Sequence, residues 1–387
     1  MTRQRRITLS VTAAGLACFA LLYAPQPVLP QLAQEFGLTP GGASLAVSAA
    51  TGALAVVVVP VATLSQRIGR RRVIIASVVA AAAIGLLLPF APTYSALVAL
   101  RVLQGAAVAG MPAVAMAYLA EEAGTAGVGA AIGALVAGNS VGGMSGRLLA
   151  GFTVDHLQWR GSLAVVAAFG AVCAVVVATC LPRERSVPVR GRNGLRDALT
   201  DPVLLAQYAV AALAMAAFVS LYNVISFRLA APPLNLPATI ASLVFLAYAI
   251  GGVSSAAAGR FADRLGRAPV LLAGLGVAAL GALLTLPDSV PAVALGTALF
   301  TGGFFAAHSV ASGWVGVRAP TAAKGQASGI YLCAYYLGSS IGGTAGSSAF
   351  GAWGWNGLVA VVIGWFVLAA GAAVAARHAG RPALTPA

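Results

Sequence analysis

Three side chains able to carry charge or a proton stand inside long apolar runs of this 387-residue chain: Arg101, Arg147 and His308. Histidine titrates near neutral pH, so His308 is a candidate proton carrier; a hydrogen-bonded packing histidine is the other reading. Arg101 lies about seven residues into its run, where an arginine costs roughly 2.5–3.5 kcal/mol on insertion scales and needs a cavity or a partner, unless it snorkels to the nearer interface. None of the nine acids, Glu35, Glu121, Glu122, Asp155, Glu184, Asp197, Asp201, Asp263 and Asp288, falls within a run; all lie in loops or at run ends. The groups that could pass a proton are therefore His308, or Asp155 and Glu35 at run ends close to Arg147 and Arg101. Cys18, Cys173, Cys180 and Cys333 lie in apolar runs without metal-ligand spacing to a histidine, so no metal and no cofactor is expected. Three scattered histidines, His156, His308 and His378, do not make the surface cluster of a membrane enzyme, and no phosphate-cradling G-x-x-x-x-G-K-[ST] loop is present for an ATP-driven pump.

The elements that hold these residues follow from composition. Sixty per cent of the chain is apolar and 8% is charged, against roughly 25% charge in a soluble domain, which excludes a soluble globule. Lipid is the remaining solvent, and about 20 apolar residues cross it as a helix. Charge, Pro and Gly breaks delimit twelve runs, near 7–25, 42–64, 73–89, 95–119, 126–149, 160–181, 203–227, 239–259, 269–286, 291–316, 326–350 and 356–376, of which the third and ninth are short. Arg3, Arg5 and Arg6 before the first run read as the flank of an anchored helix rather than a cleaved leader.

The net charge of +14 would point to nucleic acid in a soluble protein, but here the arginines cluster between runs. With both termini cytoplasmic, nineteen of the 23 Lys and Arg fall in cytoplasmic segments, as the positive-inside rule requires. Arg101, Arg147, Arg160 and Arg228 are left over, and no nucleic-acid partner is expected. The segment 120–125 is an exception, with Glu121 and Glu122 and no cation. Residues 182–202, with Arg183, Arg185, Arg190, Arg192 and Arg196, read as a cytoplasmic linker between a six-helix unit at 1–181 and another at 203–387.

The two units are copies. Gly129, Gly138, Gly142, Gly143 and Gly146 recur as Gly329, Gly338, Gly342, Gly343 and Gly346 at a constant offset of 200, and Ile68-Gly69-Arg70 recurs as Leu265-Gly266-Arg267 at an offset of 197. Each copy holds an even number of spans, so the repeats are parallel. Small residues four apart let two helix backbones approach in lipid, and repeated halves with a midplane site between them are the architecture of many secondary transporters.

Over nearly its whole length the chain resembles the major facilitator superfamily. The segment Gly259-Arg260-Phe261-Ala262-Asp263-Arg264-Leu265-Gly266-Arg267 is similar to that family's G-x-x-x-D-R-x-G-R loop. The resemblance implies a cytoplasmic latch of Gly259, Asp263, Arg264, Gly266 and Arg267 that holds the outward-open state. In the first half, Gln66, Arg67, Gly69 and Arg70 occupy the same loop, but Ala62 replaces the leading Gly and Gln66 stands where the Asp should be, which predicts a weaker latch there. Leu97, Arg101, Gln104 and Gly105 resemble the family's fourth-span motif, whose arginine is associated with proton coupling in antiporters. The fifth run resembles the antiporter signature G-x8-G-x3-G-P-x2-G-G, with Gly143 in place of the Pro and Arg147 in place of the last Gly.

What the resemblance implies is an all-α membrane fold of twelve transmembrane helices and a bacterial inner-membrane transporter, monomeric, moving a small molecule outward in exchange for protons. It is similar to bacterial twelve-span exporters near the sugar and chloramphenicol efflux branch through the stretches 138–147 and 304–309. An importer or facilitator on the same scaffold is the alternative. Runs one, four, seven and ten surround the family's cavity, which places Tyr23, Gln26, Met116, Tyr222 and Asn223 there, with Asn139, Tyr335 and Tyr336 on flanking helices. Tyr23 and Tyr222, near run ends, read equally well as interface anchors. Without an acid in a run, an apolar, neutral or anionic cargo is favoured over a multivalent cation.

Overall fold

A computed structural model of the protein describes residues 2–123, 128–184, 194–321 and 323–379, and among these the only regular structure is helix. Ten helices among the described residues are long and apolar enough to cross a bilayer. Two of them, Val128–Cys180 and Lys324–Ala379, have 53 and 56 residues, or about 80 Å at 1.5 Å per residue, far more than a hydrocarbon core of ~30 Å. Each breaks at one non-helical residue, Gln158 (φ 55°) or Gly354 (φ 66°). Around Gln158 the chain doubles back: Thr12 donates to the Ala134 carbonyl and Arg6 to the Cys180 carbonyl, whereas Trp159 donates to Glu35. The described crossings therefore number twelve.

In chain order they are α1 (Arg3–Phe36), α2 (Pro40–Ile68), α3 (Arg70–Phe90), α4 (Tyr94–Glu122), α5 (128–157) and α6 (159–180), then α7 (Pro202–Ala230), α8 (Ala238–Leu265), α9 (Arg267–Leu284), α10 (Val290–Arg318), α11 (324–353) and α12 (355–379). Arg3 and Cys180 mark one face of the bundle, the terminal face, and Glu35 and Trp159 mark the opposite, distal face. Residues 185–193 and 380–387 contain Arg185, Arg190, Arg192 and Arg381, which lie outside the described residues.

The duplication in sequence is a duplication in packing. In the first half, a Cβ at Gly138, Gly142 or Gly146 of α5 would stand within 2.6 Å of a backbone atom of Thr12, Leu16 or Ala20 on α1. In the second half, Gly338, Gly342 and Gly346 of α11 lie equally close to Ala212, Ala216 and Ser220 on α7. Both the glycines and their partners obey the offset of 200, so the α1–α5 and α7–α11 crossings are one contact made twice. Gly105 of α4 supplies another close approach, with no room for a Cβ against the Ala50 carbonyl of α2. The contact does not reach Gly129, which has nothing within 4 Å, or Gly329, which has only a Val59 methyl at 3.9 Å. Gly143 has the Arg147 side chain beside it, and Gly343 packs on Asn223, Val219 and Ser48. Gly142→Ala and Gly342→Ala are each expected to cost about 1–3 kcal/mol, the usual range for overpacking, seen as a lowered unfolding midpoint in detergent. Gly129→Ala should leave that midpoint unchanged; equal losses at Gly129 and Gly142 would discount the contact.

Loop chemistry is repeated as well. Gly69 (φ 94°) and Gly266 (φ 88°) take up the same left-handed conformation between α2 and α3 and between α8 and α9. The reversal residues Gln158 and Gly354 are each followed by Trp-x-Gly, and both tryptophans donate at the distal face, Trp159 to Glu35 and Trp355 to the Thr285 carbonyl at 3.0 Å. The acidic exception on the terminal face has a local cause. Glu122 pairs with Arg3 and Glu121 with Arg70, so these carboxylates sit among arginines of neighbouring segments.

Candidate functional site

Arg101 is fully buried on α4 and does not reach a surface. Its Nε donates to the Ala46 carbonyl at 2.5 Å and Nη1 to the Leu21 carbonyl at 3.0 Å, with further bonds to the Leu22 carbonyl and the Gln104 side chain. Gln104 in turn donates to the Ala81 carbonyl of α3 at 2.9 Å. Proline explains one of these acceptors: Leu21 would bond to the amide of residue 25, but Pro25 has none. One guanidinium thus joins α1, α2 and α4, and Gln104 adds α3. Among the described residues Arg101 has no acidic partner, and it does not line the cavity.

That cavity lies between the halves and has a volume of ≈ 750 Å³, within the usual range for small-molecule sites. It runs from Tyr23, Arg147 and Tyr248 at its distal end to Met116, Gly133, Ser312 and Ser328 toward the terminal face. Phe19, Phe218, Phe305, Met111 and Met215 make most of its wall apolar. Arg147 is 1% exposed and, among the described residues, is the only arginine or lysine on this wall. Its Nε donates to Gln26 Oε1 at 2.5 Å and its Nη1 to the Gly143 carbonyl at 2.7 Å. Around it stand four rings, with centroids 4.3 Å (Tyr23), 4.4 Å (Tyr248), 5.6 Å (Phe245) and 5.9 Å (Tyr222) from Cζ. Gln26 relays onward to Asn223 Oδ1 at 2.7 Å, so the α5 cation is tied across to α7. Its counterpart at the offset of 200 is Ser347, and the two repeats therefore differ by one charge at equivalent positions.

His308 of α10 lines the same cavity nearer the terminal face, with Nδ1 2.9 Å from the Tyr331 hydroxyl and its ring 4.8 Å from that of Tyr335. Tyr23, Met116, Asn139, Tyr335 and Tyr336 also line it. Gln26, Tyr222 and Asn223 sit one layer behind: Tyr222 shares a 2.6 Å hydrogen bond with Thr301, and Tyr222 and Tyr23 are buried rather than placed at a lipid interface. The sequence reading missed Phe245 and Tyr248 on α8 and Tyr331 on α11, which belong to no motif.

Bonds between the halves lie on the distal side. Asp155 at the end of α5 accepts from the Thr239 amide (2.9 Å) and hydroxyl (2.8 Å) at the start of α8, a helix N-terminus where a carboxylate is favoured. Ser340 donates to the Ser48 carbonyl at 2.7 Å, joining α11 to α2. Close approaches repeat here too: a Cβ at Gly151 would collide with the Ser242 side chain of α8, and one at Gly351 would meet Pro40 of α2 at 3.3 Å. On the terminal side, no hydrogen bond or ion pair joins the halves among the described residues, and the cavity's lining residues there, Met116, Val136, Ser312 and Ser328, are exposed, so the cavity opens that way. Asp263 is exposed there without a partner among those residues. The first loop does hold a carboxylate, supplied from elsewhere: Glu184, just beyond α6, accepts from the Arg71 amide at 2.5 Å, at the start of α3.

Residues 7–231 and 213–386 each match the family described as Major Facilitator Superfamily. Inner membrane transport protein YnfM of Escherichia coli K12 is 41% identical over 370 residues, covering 94% of this chain and 88% of that protein. The uncharacterized MFS-type transporter YybF of Bacillus subtilis 168 is 36% identical over 364 residues, 92% of this chain and 90% of its own. Among solved structures, a bacterial homologue of the human lysosomal transporter Spinster, in an inward-facing and occupied conformation, superposes with a TM-score of 0.79 at 15% identity over 98% of both chains. That last likeness is one of fold.

Proposed function

Because the chain belongs to the major facilitator superfamily, a family of membrane transporters rather than enzymes, we propose that it exports small amphiphilic compounds by alternating access in exchange for protons. The observation that carries this reading is the apolar cavity between the halves, closed at the distal face by Asp155–Thr239 and Ser340–Ser48 and open at the other. An open vestibule on the terminal face, with both termini in the cytoplasm of a bacterial cell, is where an exporter collects its cargo. The outward direction draws on the glycine signature of α5. Units 1–181 and 203–387 rock about the cavity, and the loops carrying Asp263 and Glu184 close the terminal side in the other half of the cycle.

His308 is the proton carrier in this scheme, since it is the group of near-neutral type on the cavity wall, and its Nε2 makes no hydrogen bond among the described residues. Arg147 is held by Gln26 and the Gly143 carbonyl, and Arg101 is a brace. The test uses purified protein in proteoliposomes with small amphiphilic dyes and an imposed pH gradient. Gradient-driven dye movement toward the acidic compartment, abolished by a protonophore, is expected, and His308→Gln should cut the gradient-driven component about tenfold while leaving dye exchange at equal pH intact. Movement down the dye's own gradient with no response to pH would overturn export by antiport.

A further inference from the structure

We propose that the transported compound is an anion, and that Arg147 in its ring of aromatics is the subsite that takes its carboxylate. This rests on the small-amphiphile reading above and names the charge of the cargo. An arginine removed from water is costly unless an opposite charge or good hydrogen bonds replace the lost hydration. Each of the protein's nine acids is accounted for elsewhere. Glu35, Glu121, Glu122, Asp201 and Asp288 pair with arginines at the two faces, Asp155 and Glu184 accept from backbone amides, and Asp197 and Asp263 are exposed. Arg147 therefore has no protein anion among the described residues, although it is 99% buried at the distal end of the cavity.

The donor count shows what is left over. A guanidinium has five N–H donors; Arg147 directs one to Gln26 and one to the Gly143 carbonyl, and no bond from Nη2 is made to a described residue. Three donors on the two terminal nitrogens are left, the set that meets a carboxylate with two parallel bonds. Ring faces at 4.3 and 4.4 Å hold the cation in place and soften its isolation, as cation–π contacts do, but they accept no directed hydrogen bond of the strength a carboxylate supplies. In a cavity walled by Phe19, Phe218 and Met215, charge attraction is screened far less than in water. The apolar wall then takes the body of the cargo. A cationic amphiphile would bring a like charge to Arg147, so the site selects against it. Because Ser347 stands at the equivalent position of the second repeat, the cavity holds one such subsite, which suits a monoanion.

The test compares three probes with one naphthyl body, 1-naphthoate, 1-naphthamide and 1-naphthylmethylammonium, alongside the same triad built on biphenyl. Binding is read as stabilisation of purified protein in detergent and as competition in proteoliposomes. The carboxylates should bind at least tenfold more tightly than their amides, and the ammonium compounds more weakly still. Arg147→Gln should erase the carboxylate preference, so that carboxylate and amide of one body bind within about twofold of each other; Arg147→Lys should retain part of the preference. Equal binding of carboxylate and amide, tightest binding of the cation, or no binding of either carboxylate would overturn the assignment, and wild-type protein alone decides among these if the variants fail to fold. Carboxylate-selective binding without flux driven by a pH gradient would leave this subsite standing and remove proton-coupled export.

Discussion

Arg101→Ala is expected to yield no monodisperse folded protein, and Arg101→Lys a protein with a clearly lowered unfolding midpoint. Truncation strips donors from the carbonyls of Leu21, Leu22 and Ala46 and from Gln104 in one step. Each buried polar group left unsatisfied costs about 1–3 kcal/mol, against a total stability of order 5–15 kcal/mol for a typical domain. The Leu21 carbonyl has no substitute donor in its own helix, because the residue four positions on is Pro25. Lysine keeps the charge but not the planar fork that reaches two helices at once, so it restores only part of the brace. Size-exclusion profiles and thermal melts in detergent check this. An Arg101→Ala protein that melts like the wild type and loses only its response to a pH gradient would return Arg101 to the coupling role that its motif suggested.

That motif illustrates what the sequence could and could not convey. A buried arginine was visible at position 101, as was its need for a partner; that the partners are backbone carbonyls was not, since carbonyls carry no sequence label. The fivefold glycine repeat announced two copied units because a missing side chain leaves a clear mark. Its partners Thr12, Leu16 and Ala20, and Ala212, Ala216 and Ser220, are ordinary helix residues that nothing marks as contacts. Gly129 and Gly329 share the repeat without sharing the contact, so periodicity over-extended the interface by one position in each half. Arg147 stood out as a departure from a signature. Its cage did not, because Phe245 and Tyr248 arrive from a helix about 100 residues away and lie outside any motif. Glu184 is the same kind of miss: the first loop lacks its own acid at Gln66, and the replacement comes from the far end of α6.

Asp155→Ala and Asp263→Asn are expected to shift the conformational balance in opposite directions, and to slow transport for opposite reasons. Asp155 makes its bonds to Thr239 in the form closed at the distal face; without them that form loses a contact its alternative does not have, and its population relative to the alternative should fall roughly five- to tenfold. Asp263 makes no bond to a described residue in this form, where it is exposed. If its loop engages when the terminal face closes, Asp263→Asn weakens only the other form and enriches the one described. Spin labels at Ala120→Cys on α4 and Val317→Cys on α10, in a background without native cysteines, report the terminal opening. The long-distance population should shrink in Asp155→Ala and grow in Asp263→Asn, with neither variant losing thermal stability to the degree expected for Arg101→Ala. A ligand can shift such an equilibrium only by its differential affinity for the two forms, so the variant biased open should bind cargo from the terminal side at least as well as the wild type while turning over more slowly. Shifts of the same sign in both variants, or none, would mean that the distal bonds and the terminal loop do not oppose one another, and the reciprocal gating assigned to the two faces would fall.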